Sequence, residues 1–201
     1  MTDEHRVLSI NGSYRDDGIT DQAVAAVTRA LTESGVHVDT VNLRDEDIRF
    51  CMNCRACTQQ SGEQPGRCVL NDSMHGIIDK IERADAYILA APTNFGSVTA
   101  VFKRFMERLI VYGFWPWGAP SPIFRKAESI TKKALLVTSC AAPGILGRLT
   151  YGTGKQLKMT AKLIGAKPVG LLYTGLIAGD PYTRVSARTM QKAESLAQRL
   201  H

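Results

Sequence analysis

Apolar positions in this chain repeat with two alternating periods, first that of a strand and then that of a helix. Arg6–Asn11 (RVLSIN) reads as a short buried strand, and the polar turn Gly12–Gly18 follows it. Ile19–Ser34 has helical spacing through Ala23, Val27 and Leu31, and Gly35 marks its end. Val36–Leu43 alternates as a second strand and leads into a loop rich in cysteine. Asp72 suits the cap of a helix running to about Arg83, with Met74, Ile77, Ile78 and Ile81 on one face. Asp85–Ala91 is nearly all apolar and is therefore expected at the centre of a sheet. Pro92–Gly96 breaks it. Val98–Val111 then predicts an amphipathic helix that buries Val101, Phe102, Phe105, Met106 and Leu109. A fourth strand over Ala134–Ser139, a helix over Leu149–Ile164, a fifth strand over Lys167–Thr174 and a last helix over Val185–Leu200 complete the pattern.

Strands alternating with helices predict an α/β fold, with a parallel sheet covered on both faces. Ligands of such sheets sit beyond the carboxyl ends of the strands, where the strand order turns. The loops after strands one, three and four are therefore the places to look. With 201 residues, the chain is long enough for a full core and is read as one domain, 1–201.

Composition narrows the classes further. Hydrophobic residues make up 44% of the chain, which argues against disorder. The net charge of +6 is spread along the chain and forms no basic stripe, so nucleic acid is not an expected partner. The same charge suits phosphorylated ligands. The start, Met1-Thr2-Asp3-Glu4-His5, is polar and predicts no secretory signal. No apolar run approaches the roughly 18 residues needed to cross a bilayer. The expectation is a cytoplasmic protein with no membrane partner. In that reducing setting an odd count of five cysteines favours free thiols or metal ligands over disulfides.

Two loops carry candidate chemistry. Asn11-Gly12-Ser13-Tyr14-Arg15-Asp16-Asp17-Gly18-Ile19-Thr20 lies between a strand end and a helix start. Its glycines, hydroxyls and arginine suit a phosphate at the helix N-terminus, although neither a dinucleotide fingerprint nor a Walker loop is present. The alternative is a polar turn in which Thr20 or Ser13 caps the helix. Ala91-Pro92-Thr93-Asn94-Phe95-Gly96-Ser97 follows strand three. It suits the edge of a flat ring, with Phe95 as an aromatic wall, or an ordinary loop capped by Ser97.

Read together, these loops resemble the NAD(P)H-dependent FMN reductase family of flavodoxin-like proteins. The resemblance lies in Asn11-Gly12-Ser13-x-Arg15 with Thr20, in Ala91–Val98 followed by Lys103, Phe105 and Arg108, and in Cys68–Met74. It implies a flavodoxin-like three-layer sandwich, with a five-stranded parallel sheet in the order 2-1-3-4-5. It also implies bound FMN and NAD(P)H as co-substrate. By motif match, Ser13, Arg15, Gly18, Ile19 and Thr20 would hold the phosphate. Pro92, Thr93, Asn94, Phe95 and Gly96 would hold the isoalloxazine ring, and Ser139 through Gly144 would touch its other edge. Family members are dimers or tetramers, so a homodimer or homotetramer is expected. No catalytic side chain is implied, because the flavin carries the reaction.

Cys51, Cys54 and Cys57 follow one another at intervals of three, and Cys68 comes later. Thiols this crowded suit an iron–sulfur centre, redox-active dithiols or zinc. The run resembles that of the iron–sulfur flavoprotein subgroup, which implies a [4Fe-4S] cluster on Cys51, Cys54, Cys57 and Cys68. The gap Thr58–Arg67 is longer than usual there. It contains Gly62, Pro65 and Gly66, which suit a turn that brings Cys68 back. Cys140 is expected to be a small buried residue near the fourth loop, and Lys103 and Arg108 are expected to serve the solvated helix surface or an interface, not the reaction. Trp115 and Trp117 suit an oligomer interface or a roof over a neighbour's flavin. Two functions follow. One is an FMN-dependent NAD(P)H oxidoreductase that passes electrons to a quinone, a flavin or a similar small-molecule acceptor. The other is an iron–sulfur flavoprotein that acts as an electron carrier.

Overall fold

The computed structural model describes residues 5–143, 150–175 and 182–200. Its main sheet contains β1 (Arg6–Asn11), β2 (His37–Asn42), β3 (Ala86–Ala90), β6 (Lys132–Ser139) and β7 (Ala166–Thr174). Every neighbouring pair is parallel, in the order β2-β1-β3-β6-β7. Counted along the main sheet alone, this is the expected order 2-1-3-4-5. A separate antiparallel hairpin, β4 (Gly113–Phe114) with β5 (Ile123–Phe124), has no counterpart in the pattern reading, because strands of two residues carry no period.

The helices are α1 (Ile19–Glu33), α2 (Met74–Arg83), α3 (Ala100–Arg108), α4 (Thr153–Leu163) and α5 (Ala187–Ala197). The two faces of the sheet own separate apolar clusters. Tyr87 and Leu89 of β3 join the side chains of α2, α3 and α4. Ala86, Ile88 and Ala90 join those of α1 and α5. This is the period-two alternation of a strand buried on both sides, and all five residues of β3 are buried. Burying a side chain the size of Phe102 or Phe105 contributes roughly 1.5–3 kcal/mol, and both are 0% exposed. Pro168 sits on the edge strand β7, beside a register shift between Ala134 and Leu135, where a missing N–H is tolerated.

Two of the predicted helices are shorter than their apolar patterns. The third becomes a 3-10 turn over Leu109–Tyr112, and the last does so over Gln198–Leu200. The start of the predicted Leu149–Ile164 helix lies partly outside the described residues. Among the described residues no helix is long and apolar enough to cross a membrane.

Candidate functional site

The loop after β1 is shaped by close approach to α3. A Cβ on Gly12 would stand 2.8 Å from the Cβ of Phe102, so glycine is required there. The Gly12 amide donates to the Ala90 carbonyl (2.8 Å) and its carbonyl accepts from Thr99 Oγ1 (2.7 Å). Asn11, buried at the strand end, accepts from the Ser13 amide through Oδ1 (3.0 Å) and donates to Asp21 Oδ1 (2.8 Å). Arg44, which the motif reading did not single out, ties the loop from outside. Its Nη1 donates to the Ser13 carbonyl and to Asp21 Oδ2, both at 3.1 Å, and it also pairs with Asp16.

Gly18 precedes the first turn of α1 in extended conformation, and no side chain caps that helix. Neither Thr20 nor Ser13 serves as the cap. Thr20 Oγ1 instead bonds Ser139 Oγ (2.8 Å), joining the first turn of α1 to the end of β6. The first amides of a 15-residue helix are thus left without a side-chain acceptor and point to where an anion binds best. A Cβ on Gly18 would reach within 3.2 Å of Arg15 Cβ and 3.8 Å of Ser13 Oγ, filling the space between them.

This space belongs to a cleft of about 370 Å³ at the carboxyl ends of β1, β3 and β6, a volume in the range of small-molecule sites. It brings together Ser13, Arg15, Gly18, Ile19 and Thr20 with Pro92, Thr93 and Asn94 from the loop after β3. Ser139, Cys140 and Ala141 form the opposite wall, and Gly144 lies outside the described residues. Phe95 and Gly96 do not line the cleft. Phe95 and Gly96 are consecutive left-handed residues (φ 48° and 74°) at the tip of a tight turn closed by Asn94 and Ser97. Phe95 projects fully into solvent, and Gly96 backs onto Tyr151. Sequence motifs also gave no notice of Thr183 and Asp17 in the lining. The Asp17 carboxylate is paired with Arg184, which offsets its negative charge there. The wall residue Cys140, which is buried, accepts the hydroxyl hydrogen of Tyr173 at Sγ (2.7 Å). Burial and this contact push the Tyr173 hydroxyl well above its ordinary pKa.

The second candidate site is a cavity of about 170 Å³ lined by Cys51, Cys54, Cys57 and Cys68 together with Arg108 and Trp115. Asn53 and Arg55 take left-handed backbone conformations (φ 54° and 59°), which curl the run around the cavity. The long gap before Cys68 does fold back. A Cβ on Gly66 would fall 1.7 Å from the Cys57 carbonyl oxygen, so only glycine lets the chain cross there. The Gly66 amide donates to the Val111 carbonyl (2.8 Å), and Arg125 holds the crest by donating to the carbonyls of Gln60 and Gly62 (2.7 Å each). Burial pushes the Cys57 thiol up to about 11, and the nearby Cys68, Cys51 and Cys54 add to the shift in that order.

Two arginines complete this site, and neither is among the candidate ligands read from the sequence. Arg55 lies between Trp115 and Trp117, at 3.9 and 4.4 Å from their ring centres, and donates to the Trp115 carbonyl (2.7 Å). The tryptophans therefore clamp the cysteine loop within the chain. Arg108 is not on a solvated surface: its side chain is 1% exposed and pairs with the fully buried Asp72 (Nη1 to Oδ2, 2.5 Å). Lys103 does lie at the surface, beside Glu107 (3.8 Å). Burial alone would raise the Asp72 carboxyl, but Arg108 and the amides of Arg49 and Met74 hold it below the usual range. The signal for Arg108 was available in its spacing, since it follows the apolar Phe105 by three residues.

Among the described residues no group of three or more His, Cys, Asp or Glu side chains is arranged to hold one metal ion. A single tetrahedral ion needs its sulfurs within about 3.8 Å of one another, given a Zn–S distance near 2.3 Å. A four-iron cube gives each thiolate its own iron, so the sulfurs stand farther apart around a larger volume. Four thiols around one cavity, flanked by cationic side chains, fit the second case in donor set and charge.

The family model for NADPH-dependent FMN reductase matches residues 5–150. An iron-sulfur flavoprotein of Methanocaldococcus jannaschii is 32% identical over 103 residues, covering 51% of this chain and 51% of that protein. One from Archaeoglobus fulgidus is 23% identical over 198 residues, covering 97% of this chain and 93% of the relative. The chain spans about half the length of the first of these relatives and nearly all of the second. Among solved structures, the NAD(P)H:quinone oxidoreductase from Methanothermobacter marburgensis superposes with a TM-score of 0.70 at 18% identity, covering 98% of this chain and 100% of that one. An FMN-dependent NADH-azoreductase from Bacillus anthracis, solved with FMN, gives 0.64 at 12% identity, covering 98% and 99%. These two likenesses concern the fold alone.

Proposed function

Since the chain belongs to the NADPH-dependent FMN reductase family, we propose that it is a flavin-dependent oxidoreductase that binds FMN in the strand-end cleft and takes electrons from NAD(P)H for a quinone, flavin or similar small acceptor. One observation carries this reading. The uncapped N-terminus of α1 opens into the same cleft as the hydroxyls of Ser13 and Thr20 and the polar loop Pro92–Asn94. When bound, FMN supplies the redox chemistry, accepting a hydride and passing electrons on. The residues bind and orient. The α1 amides, Ser13, Thr20 and Arg15 hold the phosphate, and Gly18 leaves room for it. Pro92, Thr93 and Asn94 meet one edge of the ring, with Phe95 and Gly96 at the end of that loop, while Ser139 and Cys140 meet the other. No side-chain acid or base is needed. Rapid-mixing absorbance tests the reading: bound FMN should bleach on addition of NADPH or NADH. A protein that takes up FMN but is not bleached by either nicotinamide would sink it.

A second centre is favoured by a separate observation, the fold-back at Gly66 that sets Cys68 beside Cys57. We read the four cysteines as ligands of a [4Fe-4S] cluster, with Arg55, Arg108 and Arg125 offsetting its negative charge. The iron-sulfur flavoprotein names of two relatives support this. Iron analysis of anaerobically prepared protein checks it, with about four irons per chain expected. Iron-free protein would leave the cleft as the sole redox centre.

A further inference from the structure

We propose that Arg108 is a positioning residue of the cysteine cavity, whose guanidinium anchors Cys68 through a hydrogen bond to its sulfur and raises the reduction potential of a cluster held there. This rests on the iron–sulfur reading above. Arg108 Nη2 donates to Cys68 Sγ at 3.5 Å and to Asp72 Oδ1 at 3.1 Å. Its Nη1 donates to the Arg49 carbonyl at 2.8 Å and to Asp72 Oδ2 at 2.5 Å. One planar fork thus joins both ends of the cysteine run, Arg49 just before Cys51 and Cys68 with Asp72 at the far end, to helix α3.

A lysine has a single point of charge and cannot serve these partners together. Nor does stability explain the arrangement. A buried ion pair is often no more stable than apolar side chains of the same volume, because both charges must be desolvated. What an apolar pair could not supply is a donor and a positive charge at the sulfur. The side chain is 1% exposed, so water does not screen that contact. N–H donors to cluster sulfurs and nearby positive charge favour the more negative, reduced state. Asp72 fixes the guanidinium plane but does not itself touch the sulfur.

The test uses the whole chain, reconstituted anaerobically, assayed for iron and then titrated by spectroelectrochemistry. R108K keeps a positive charge near Asp72 but loses the second donor. At the wild-type midpoint its ratio of reduced to oxidised cluster is expected to fall about tenfold, equivalent to about 59 mV for a one-electron couple. D72N keeps Arg108 and its bond to sulfur, so it should lose thermal stability without any lowering of the midpoint. R108Q/D72N removes both charges together and covers the case in which R108K does not fold; its midpoint should fall at least as far. Unchanged midpoints in R108K and R108Q/D72N with iron retained overturn the proposal, as does an equal fall in D72N. A wild-type chain that takes up no iron overturns the iron–sulfur reading instead, and this inference with it.

Discussion

The strand-end cleft and the cysteine cavity are built in opposite ways. The cleft is mostly backbone. Three parallel strands end at one level, α1 starts there without a cap, and small hydroxyls finish the surface. Its outer tie, Arg44, reaches Asp16, whose side chain is 90% exposed. The cavity is mostly side chain. Its walls are cysteines held by a buried fork, an arginine clamped between two tryptophans, and a glycine crossing that tolerates no Cβ. Topology alone makes the first, whereas the second stands only if several long-range contacts form together.

The comparison predicts unequal responses to truncation. Arg108→Ala leaves Asp72 charged and buried, and is expected to destabilise the chain by about 3–5 kcal/mol. Arg44→Ala should cost about 1 kcal/mol, because its partners are partly in water. Urea unfolding of the two variants measures both, and equal losses would break the contrast. Between these two in size is Gly66→Ala. The overlap with the Cys57 carbonyl involves backbone on both sides, so a loss of about 3 kcal/mol is expected. Iron loading should fall with it while FMN affinity stays within twofold of wild type. A variant that keeps full iron would show that the crossing is not what positions Cys68.

Acid should strike the cavity through Asp72. Its folded pKa lies below the unfolded value near 3.9, so its contribution is fully present above that value. The contribution is lost as pH falls through the folded pKa. D72N should therefore flatten the acid limb of a plot of stability against pH, as followed by circular dichroism. In metal-free protein, Cys57 has its thiol raised from 9.0 to about 11, so its thiolate fraction at pH 8 is about a hundredfold below that of an unshifted thiol. Among the four cysteines of the cavity, peptide mapping after timed alkylation should find exposed Cys54 modified first and Cys57 last. The smallest effect belongs to Phe95, a left-handed non-glycine at a loop tip. Phe95→Gly should stabilise by about 0.5–1 kcal/mol, with the FMN dissociation constant changing less than threefold. A larger weakening would mean that the exposed ring reaches the flavin.

Much of the cleft was legible beforehand. The apolar run Asp85–Ala91 announced a central strand, and glycines and hydroxyls after Asn11 announced an anion site at a helix start. Phe95 was harder to place, because its side-chain direction depends on a positive φ that motif order does not reveal. Arg108 was misplaced for a different reason. A charge on an amphipathic helix is usually solvated, and only Asp72, 36 residues away, makes its burial tolerable.

By itself, then, the sequence determined the order of the main-sheet strands and the helices, the level at which a ligand would meet the sheet, and the supply of four thiols in one loop. These follow from hydrophobic period, turn chemistry and spacing, all of which act over a few residues. Only the tertiary structure decided that Cys68 returns to Cys57, that the tryptophans clamp Arg55, and that a buried arginine faces the sulfur. Each of those depends on contacts between distant segments, whose energies exist only once the core has brought the segments together.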